Sequence, residues 1–218
     1  MKPEEIQRVT RSKEQARESY NSMSRWYDLF TRSEKHLTDI SIQMLAVQPH
    51  ESILEIGCGT GHTLVEFANK IESGKIIAMD ISEGMLKVAR KRIQTNTRKR
   101  CVEFCQGDGL FIPFPNEQFD SVILSFTLEL FDTPEIPRVL NECHRVLKVG
   151  GRLGVVALAK QETTAVHIYE WFHRRIPGLV DCRPIYLQEC SKGAGYIIQI
   201  SKLETMWGLP VEIVVARK

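Results

Sequence analysis

The chain is expected to fold as a doubly wound α/β protein, with a seven-stranded, mostly parallel sheet, an antiparallel C-terminal strand and helices on both faces. Three observations predict this. Five β-rich runs at 52–56, 75–80, 101–106, 120–125 and 152–158 alternate with helix-like segments at 61–71, 83–94 and 134–147, the rhythm of parallel strands joined by crossover helices. The runs are almost continuously apolar, as strands covered on both faces must be. After the fifth run two further strands, 196–203 and 211–216, are joined by ETMWGLP. That linker has no room for a crossover helix, so the last strand runs antiparallel to its neighbour.

Taken from the N-terminus, residues 1–35 are rich in charge and serine and carry an aromatic cluster at Tyr20, Trp26, Tyr27 and Phe30. They read as an appended helical lid, with the main domain at 36–218. Leu37, Ile40, Met44 and Leu45 fall near helical spacing and stop before Pro49, which predicts an amphipathic helix leading into the sheet. The crossover segments carry apolar stripes: Leu64, Phe67, Ala68 and Ile71, then Met85, Val88 and Ala89, then Val139, Leu140, Cys143 and Val146. Residues 160–195 follow the fifth strand with two helix-like stretches, 162–176 and 183–192, and form an insertion on the substrate side.

With 43% hydrophobic and 26% charged residues in 218, the composition excludes a disordered or fibrous chain. A net charge of +2 gives no electrostatic case for a dedicated nucleic-acid or membrane-surface binder. The basic run Lys91, Arg92, Arg98, Lys99 and Arg100 reads as a solvated loop. No apolar leader and no stretch of bilayer length is seen, so a cytoplasmic protein is expected. The six cysteines contain no C-x-x-C pair and are expected as reduced thiols, with no metal site.

The chemistry is concentrated at Ile53-Leu54-Glu55-Ile56-Gly57-Cys58-Gly59-Thr60-Gly61, a strand entering a glycine turn that opens a helix. Glycines there allow positive φ and let backbone N–H groups approach a ligand. Asp80 ends the next strand, nineteen residues beyond Gly61, where a carboxylate can accept from both hydroxyls of a ribose. The spacing G-x-G-x-G differs from the G-x-G-x-x-G that seats a pyrophosphate, so a nucleoside without a diphosphate is expected.

Glu55-Ile56-Gly57-Cys58-Gly59-Thr60-Gly61 followed by Ala78-Met79-Asp80-Ile81-Ser82 resembles the class I S-adenosylmethionine-dependent methyltransferases. Gly107-Asp108-Gly109 with Pro113-Phe114-Pro115, Phe119-Asp120-Ser121-Val122, and the run Glu142 to Gly151 resemble later motifs of that family, the likeness covering about residues 45–158. The segment Tyr20 to Asp28 resembles the entry segment of the ubiquinone/menaquinone-biosynthesis type, methyltransferase type 11. The resemblance implies a Rossmann-like sheet, S-adenosyl-L-methionine as cofactor and S-adenosyl-L-homocysteine as product. It also implies residue roles. Glu55 and the loop Gly57, Cys58, Gly59 and Gly61 would surround the methionine part, Asp80 the ribose, Ile81 and Met85 the adenine faces, and Asp108 and Gly109 the adenine edge. Ser125 and Phe126 would border the sulfonium. Tyr20, Trp26 and Tyr27 are candidates to cap that cation through their ring faces, Tyr20 foremost, or else to anchor a helix.

Methyl transfer is an in-line displacement whose main requirement is alignment of nucleophile, methyl and sulfur in a dry site. A base is needed only where the acceptor must lose a proton. Glu129, just past the fourth strand, and His167 are the candidates, with His62 read as a surface or packing residue. The expected reaction is transfer to a small, hydrophobic molecule, a quinol precursor or lipid headgroup. The alternative is a non-catalytic binding scaffold or regulatory subunit. No N-P-P-Y box follows the fourth strand, so nucleic acid is not expected as acceptor. The apolar residues Val166, Ile168, Tyr169 and Phe172 would line an acceptor tunnel, touch a membrane surface peripherally, or simply pack. A monomer or homodimer is expected.

Overall fold

The computed structural model describes residues 6, 8–9, 12–24, 32–96, 101–175 and 182–218. The elements follow in order: α1 (Lys13–Met23), α2 (Arg32–Leu45), β1 (Ser52–Ile56), α3 (His62–Lys70), β2 (Lys75–Asp80), α4 (Glu83–Asn96), β3 (Val102–Gln106) and β4 (Phe119–Ser125). A 3₁₀ turn (Leu128–Leu130) leads to α5 (Ile136–Val146), β5 (Leu147–Leu158), α6 (Thr164–Arg175), α7 (Leu187–Gly193), β6 (Ile197–Met206) and β7 (Leu209–Arg217). Helix α2 runs across the boundary expected at residue 35.

The seven strands form one sheet in the order β3-β2-β1-β4-β5-β7-β6. The first five are parallel, and β7 runs antiparallel to both β5 and β6. Chain order reverses between β1 and β4, which opens a crevice beyond their carboxyl ends, the site where sheets of this kind bind ligands.

Alternation along the strands builds an apolar core on each face of the sheet, with a further cluster of Leu37, Phe126, Val156 and Ile213 near the cavity. Leu54 and Ile56 of β1 join Ile77, Met79, Val122 and Leu124 on the face covered by α5 and α7. Ile53 joins Ile76, Ala78 and Ile123 on the face covered by α2, α3 and α4. Strand residues 53–56 and 76–80 are buried throughout, which is why these runs carry almost no polar residue. The exceptions, Glu55 and Asp80, both belong to the crevice.

The helix expected at 183–192 starts only at Leu187, with Ile185 bridged to Ala159, and two further regions differ from the sequence reading. Strand β5 begins at Leu147, directly after α5, because its register against β4 slips between Phe119/Leu147 and Ser121/Arg152, and Gly150 at φ +74° accommodates the irregularity. The linker ETMWGLP shrinks to a two-residue turn, since β6 extends to Met206 and β7 starts at Leu209. Trp207 and Gly208 have φ +53° and +79°, the double positive φ of a tight hairpin turn.

Candidate active site

The glycine loop is fastened to the end of β2. The Gly57 and Cys58 amides donate to the Met79 carbonyl at 2.8 and 3.1 Å, and the Gly59 amide donates to Asp80 Oδ2 at 2.9 Å. Gly57, Gly59 and Gly61 all have positive φ, +70°, +52° and +80°, so the bend depends on residues that reach the left-handed region without strain. Arg92 donates to the Thr60 carbonyl and hydroxyl, holding the outer side of the loop.

Around this loop lies a cavity of about 450 Å³, roomy enough for a nucleoside with an amino-acid tail and a second small molecule. Glu55, Gly57, Cys58, Gly59, Gly61 and Asp80 line it, as do Ile81, Met85, Asp108, Gly109, Ser125 and Phe126. Tyr20 reaches the same cavity from α1. The crossing of β1, β2 and β4 thus brings together residues as far apart as Glu55 and Phe126. Tyr27 and Trp26 lie outside the described residues.

The two carboxylates at the strand tips are set differently. Asp80 accepts from the Gly59 and Ser82 amides, so desolvation, which lifts its pKa, is partly countered by those hydrogen bonds. The Ile81 amide also acts on it, so three of its roughly four lone-pair sites are engaged and one stays open for a hydroxyl. Glu55 is 2% exposed, its Oε2 has no hydrogen-bond partner, and burial pushes its pKa up to about 8 despite a hydrogen bond from Thr63. A buried, half-satisfied carboxylate on a cavity wall is costly unless a donor fills the place.

Among its described residues, the N-terminal segment is strapped over the crevice by polar contacts at Arg8 and Val9, at Lys13 and at Asn21. Arg8 and the Val9 amide bind Asp132. Lys13 Nζ reaches Asp108 Oδ2 at 2.6 Å and Glu135 at 3.3 Å. Asn21 Oδ1 accepts from the Ser82 hydroxyl at 2.7 Å and the Gly84 amide at 2.8 Å, capping the start of α4. Lys13 therefore already occupies one oxygen of Asp108, the group that the family resemblance assigns to the adenine edge. Position 13 carried no sign of this in the sequence.

The residues named as bases fall elsewhere. Glu129 is fully buried behind the cavity wall and does not line it. Its Oε1 accepts from the Leu158 amide at 3.3 Å, and burial pushes its pKa to about 8, with the Glu34 charge adding to the rise and Arg183 opposing it. His167 sits on the outer face of α6, paired with Glu162 at 3.1 Å, away from the cavity. The α6 histidine that does line it is His173, 6% exposed. The two lie six residues apart, about 120° around a helix, and the sequence did not reveal which face turns inward. His62 is exposed at the cavity rim.

Phe126 adopts φ +48° at the tip of β4, unusual for a bulky residue, and is held there by its amide donating to the Val156 carbonyl at 2.8 Å. On the far side, α2 and α6 contribute Glu34, Lys35, Thr38, Asp39 and His173 to the lining. That end is more polar than the tunnel expected from the sequence. Val166 is buried, whereas Ile168, Trp171 and Phe172 are exposed on the outer face of α6.

Comparison with known proteins agrees with this geometry. Residues 53–151 match the family described as "Methyltransferase domain". A demethylmenaquinone methyltransferase of Symbiobacterium thermophilum is 41% identical over 106 residues, 48% of this chain and 41% of that protein. A ubiquinone/menaquinone biosynthesis C-methyltransferase of Teredinibacter turnerae is 32% identical over 125 residues, 57% of this chain and 49% of that protein. The chain spans about half the length, or less, of these curated relatives. In fold it is similar to magnesium protoporphyrin IX methyltransferase of Synechocystis, solved with bound S-adenosylhomocysteine. The TM-score is 0.78 at 16% identity, covering 95% of this chain and all of that one. Over residues 53–151 the chain is similar to the methyltransferase-domain family, and over about half its length to quinone-biosynthesis C-methyltransferases, and the sheet order and the glycine loop with its strand-tip carboxylates agree with that likeness.

Proposed function

We propose that the chain transfers a methyl group from S-adenosyl-L-methionine to a small hydroxylated ring compound of the quinol-precursor kind, releasing S-adenosyl-L-homocysteine. One observation carries the reading: a buried carboxylate with an unpartnered oxygen, Glu55, shares a cavity with Asp80 and a left-handed glycine loop. An α-ammonium satisfies Glu55, ribose hydroxyls satisfy Asp80, and the loop leaves room for the chain between them. Ile81 and Met85 supply apolar surface for adenine, and Ser125 and Phe126 border the sulfonium, with Tyr20 as its aromatic cap. The acceptor class follows from the relatives' printed names and from an acceptor end with polar groups able to receive ring hydroxyls.

In this reading residues 1–35 act as a lid over the 36–218 domain, fastened by the Arg8, Lys13 and Asn21 contacts, and 160–195 shapes the acceptor side. Six free thiols suit a reducing cytoplasm. Among the described residues no helix is long and apolar enough to cross a membrane, and the outer face of α6 is the surface for any peripheral membrane contact.

Asp80→Ala is expected to weaken S-adenosylmethionine binding by about 1–3 kcal/mol, the cost of losing charge-assisted hydrogen bonds. Calorimetry on the purified protein reads this directly, and an affinity equal to wild type removes the ribose role. Glu55 gives a pH signature. With its pKa near 8 in the empty site, it is largely protonated at pH 7, and an ammonium against Oε2 drives the proton off. Binding at pH 7 should then release close to one proton, seen as a heat that differs between phosphate and Tris, and Glu55→Gln should abolish the difference. The stability sign agrees. The folded form holds this proton more tightly than the unfolded chain, whose value is 4.5, so the contribution is full below pH 4.5 and lost as pH rises through about 8.

A further inference from the structure

We propose that Glu34 is the catalytic base of this site, its carboxylate taking the hydroxyl proton of a phenolic or quinol acceptor as the methyl group arrives. The assignment rests on the methyltransferase reading above and adds a residue that the sequence did not single out.

Placement is the first argument. Glu34 lines the cavity from the first turn of α2. Thr38, one turn along, donates its hydroxyl to the Glu34 carbonyl at 3.1 Å, and its oxygen lies 2.8 Å from Ser125 Oγ. In that second bond either hydroxyl can donate. This chain ties the turn bearing Glu34 to the tip of β4, where Ser125 and Phe126 border the transferred methyl. Glu34 thus sits four residues, about 6 Å of helix rise, before the Thr38–Ser125 contact, on the same cavity lining.

Electrostatics is the second. Desolvation lifts Glu34 to about 7, which makes it more basic than an ordinary carboxylate while leaving much of it ionised at neutral pH, the poise that suits a general base. Its place in the first turn of a helix also favours the anion. The charged and titratable groups around it are Lys35 and Asp39 on α2, His173 on α6, and Glu129 behind the wall with Arg183 beside it. Glu129, at about 8, holds its proton at neutral pH and so leaves the negative charge to Glu34.

The step balances. The ring carbon's electron pair forms the bond to the methyl carbon, and the carbon–sulfur bond breaks with its electrons remaining on sulfur as a neutral thioether. The hydroxyl proton passes to Glu34. The methylated ring carbon then loses its hydrogen as a proton to water while Glu34 returns its own to the oxygen. The net products are methylated quinol, thioether and one proton.

The test uses the full chain with S-adenosylmethionine and 1,4-dihydroxynaphthalene kept reduced, following release of S-adenosylhomocysteine. Glu34→Gln should lower kcat by about 100-fold or more, within the range for a general base, with cofactor Kd and acceptor KM within about threefold of wild type. Wild-type kcat should rise with pH through about 7, the Gln variant should lack that limb, and Glu34→Asp should restore part of it. A melting temperature at or above wild type shows that the Gln variant is folded. Turnover of Glu34→Gln within about threefold of wild type with the same limb, or loss of the limb in His173→Asn alone, overturns the assignment and leaves the methyltransferase reading intact. A wild-type protein that binds the cofactor and transfers nothing to the naphthoquinol overturns the acceptor class, and the base with it.

Discussion

Gly57→Ala is expected to lower stability by about 3 kcal/mol and to weaken S-adenosylmethionine binding more than 100-fold. Two costs of about 1–3 kcal/mol each combine. The residue sits at φ +70°, which an alanine tolerates poorly. The added Cβ would also fall 2.4 Å from Thr127 Oγ1 and 2.5 Å from its Cγ2. Thr127 cannot turn away cheaply, because it is β-branched and its hydroxyl donates to the Ser125 carbonyl at 2.9 Å. Relief must come from moving the loop, and moving the loop breaks the amide contacts to Met79 that set the cavity floor. Gly59→Ala provides the contrast. Its Cβ meets nothing within 4 Å at φ +52°, so only the conformational cost of about 1 kcal/mol applies. At about 2–4 °C per kcal/mol for a chain of this size, melting should fall by roughly 6–12 °C for Gly57→Ala and 2–4 °C for Gly59→Ala. Equal shifts for the two would refute the close-approach argument.

Glu51→Ala should be as costly, for a reason unconnected with the cavity. Glu51 is 5% exposed. Both its oxygens accept from Arg152 Nη2, at 2.8 and 2.7 Å, and Oε2 also accepts from the Ser121 hydroxyl at 3.1 Å. Arg152 Nε donates to the Leu45 carbonyl at 2.9 Å, so this pair joins the end of α2, the entry to β1, β4 and β5. Removing the carboxylate strands a mostly buried guanidinium at a cost of about 3–5 kcal/mol. Replacing both partners, Glu51→Leu with Arg152→Met, should recover most of the loss, since matched apolar groups leave no orphaned charge. Cofactor affinity should stay at the wild-type value in the folded fraction. Chemical denaturation of the two single variants and the double variant tests this, and a double variant no better than Glu51→Ala contradicts it.

The binding half of the site could be read from sequence because it is local. Glu55, the glycines and Asp80 lie on two consecutive strand ends, and period-two burial with a bend requiring positive φ writes itself into residue type. The catalytic half could not be read so. Glu34 looks like any acidic residue in the first turn of a surface helix, and only the docking of α2 on β5 and β7 removes water from it. His167 and His173 share one helix, and its packing selects the face. Lys13 and Asp108 are ninety-five positions apart, so no window of sequence contains their contact.

Apolar runs and turn residues, short-range properties of the chain, determined the strand count, the alternation with helices, the strand-tip carboxylates and the antiparallel finish. Tertiary structure alone decided that β7 inserts between β5 and β6, that the last hairpin closes in two residues, that the N-terminal helix straps the crevice, and which acidic groups lose their water. Burial and charge pairing are properties of neighbours in space, and the sheet crossing chooses those neighbours.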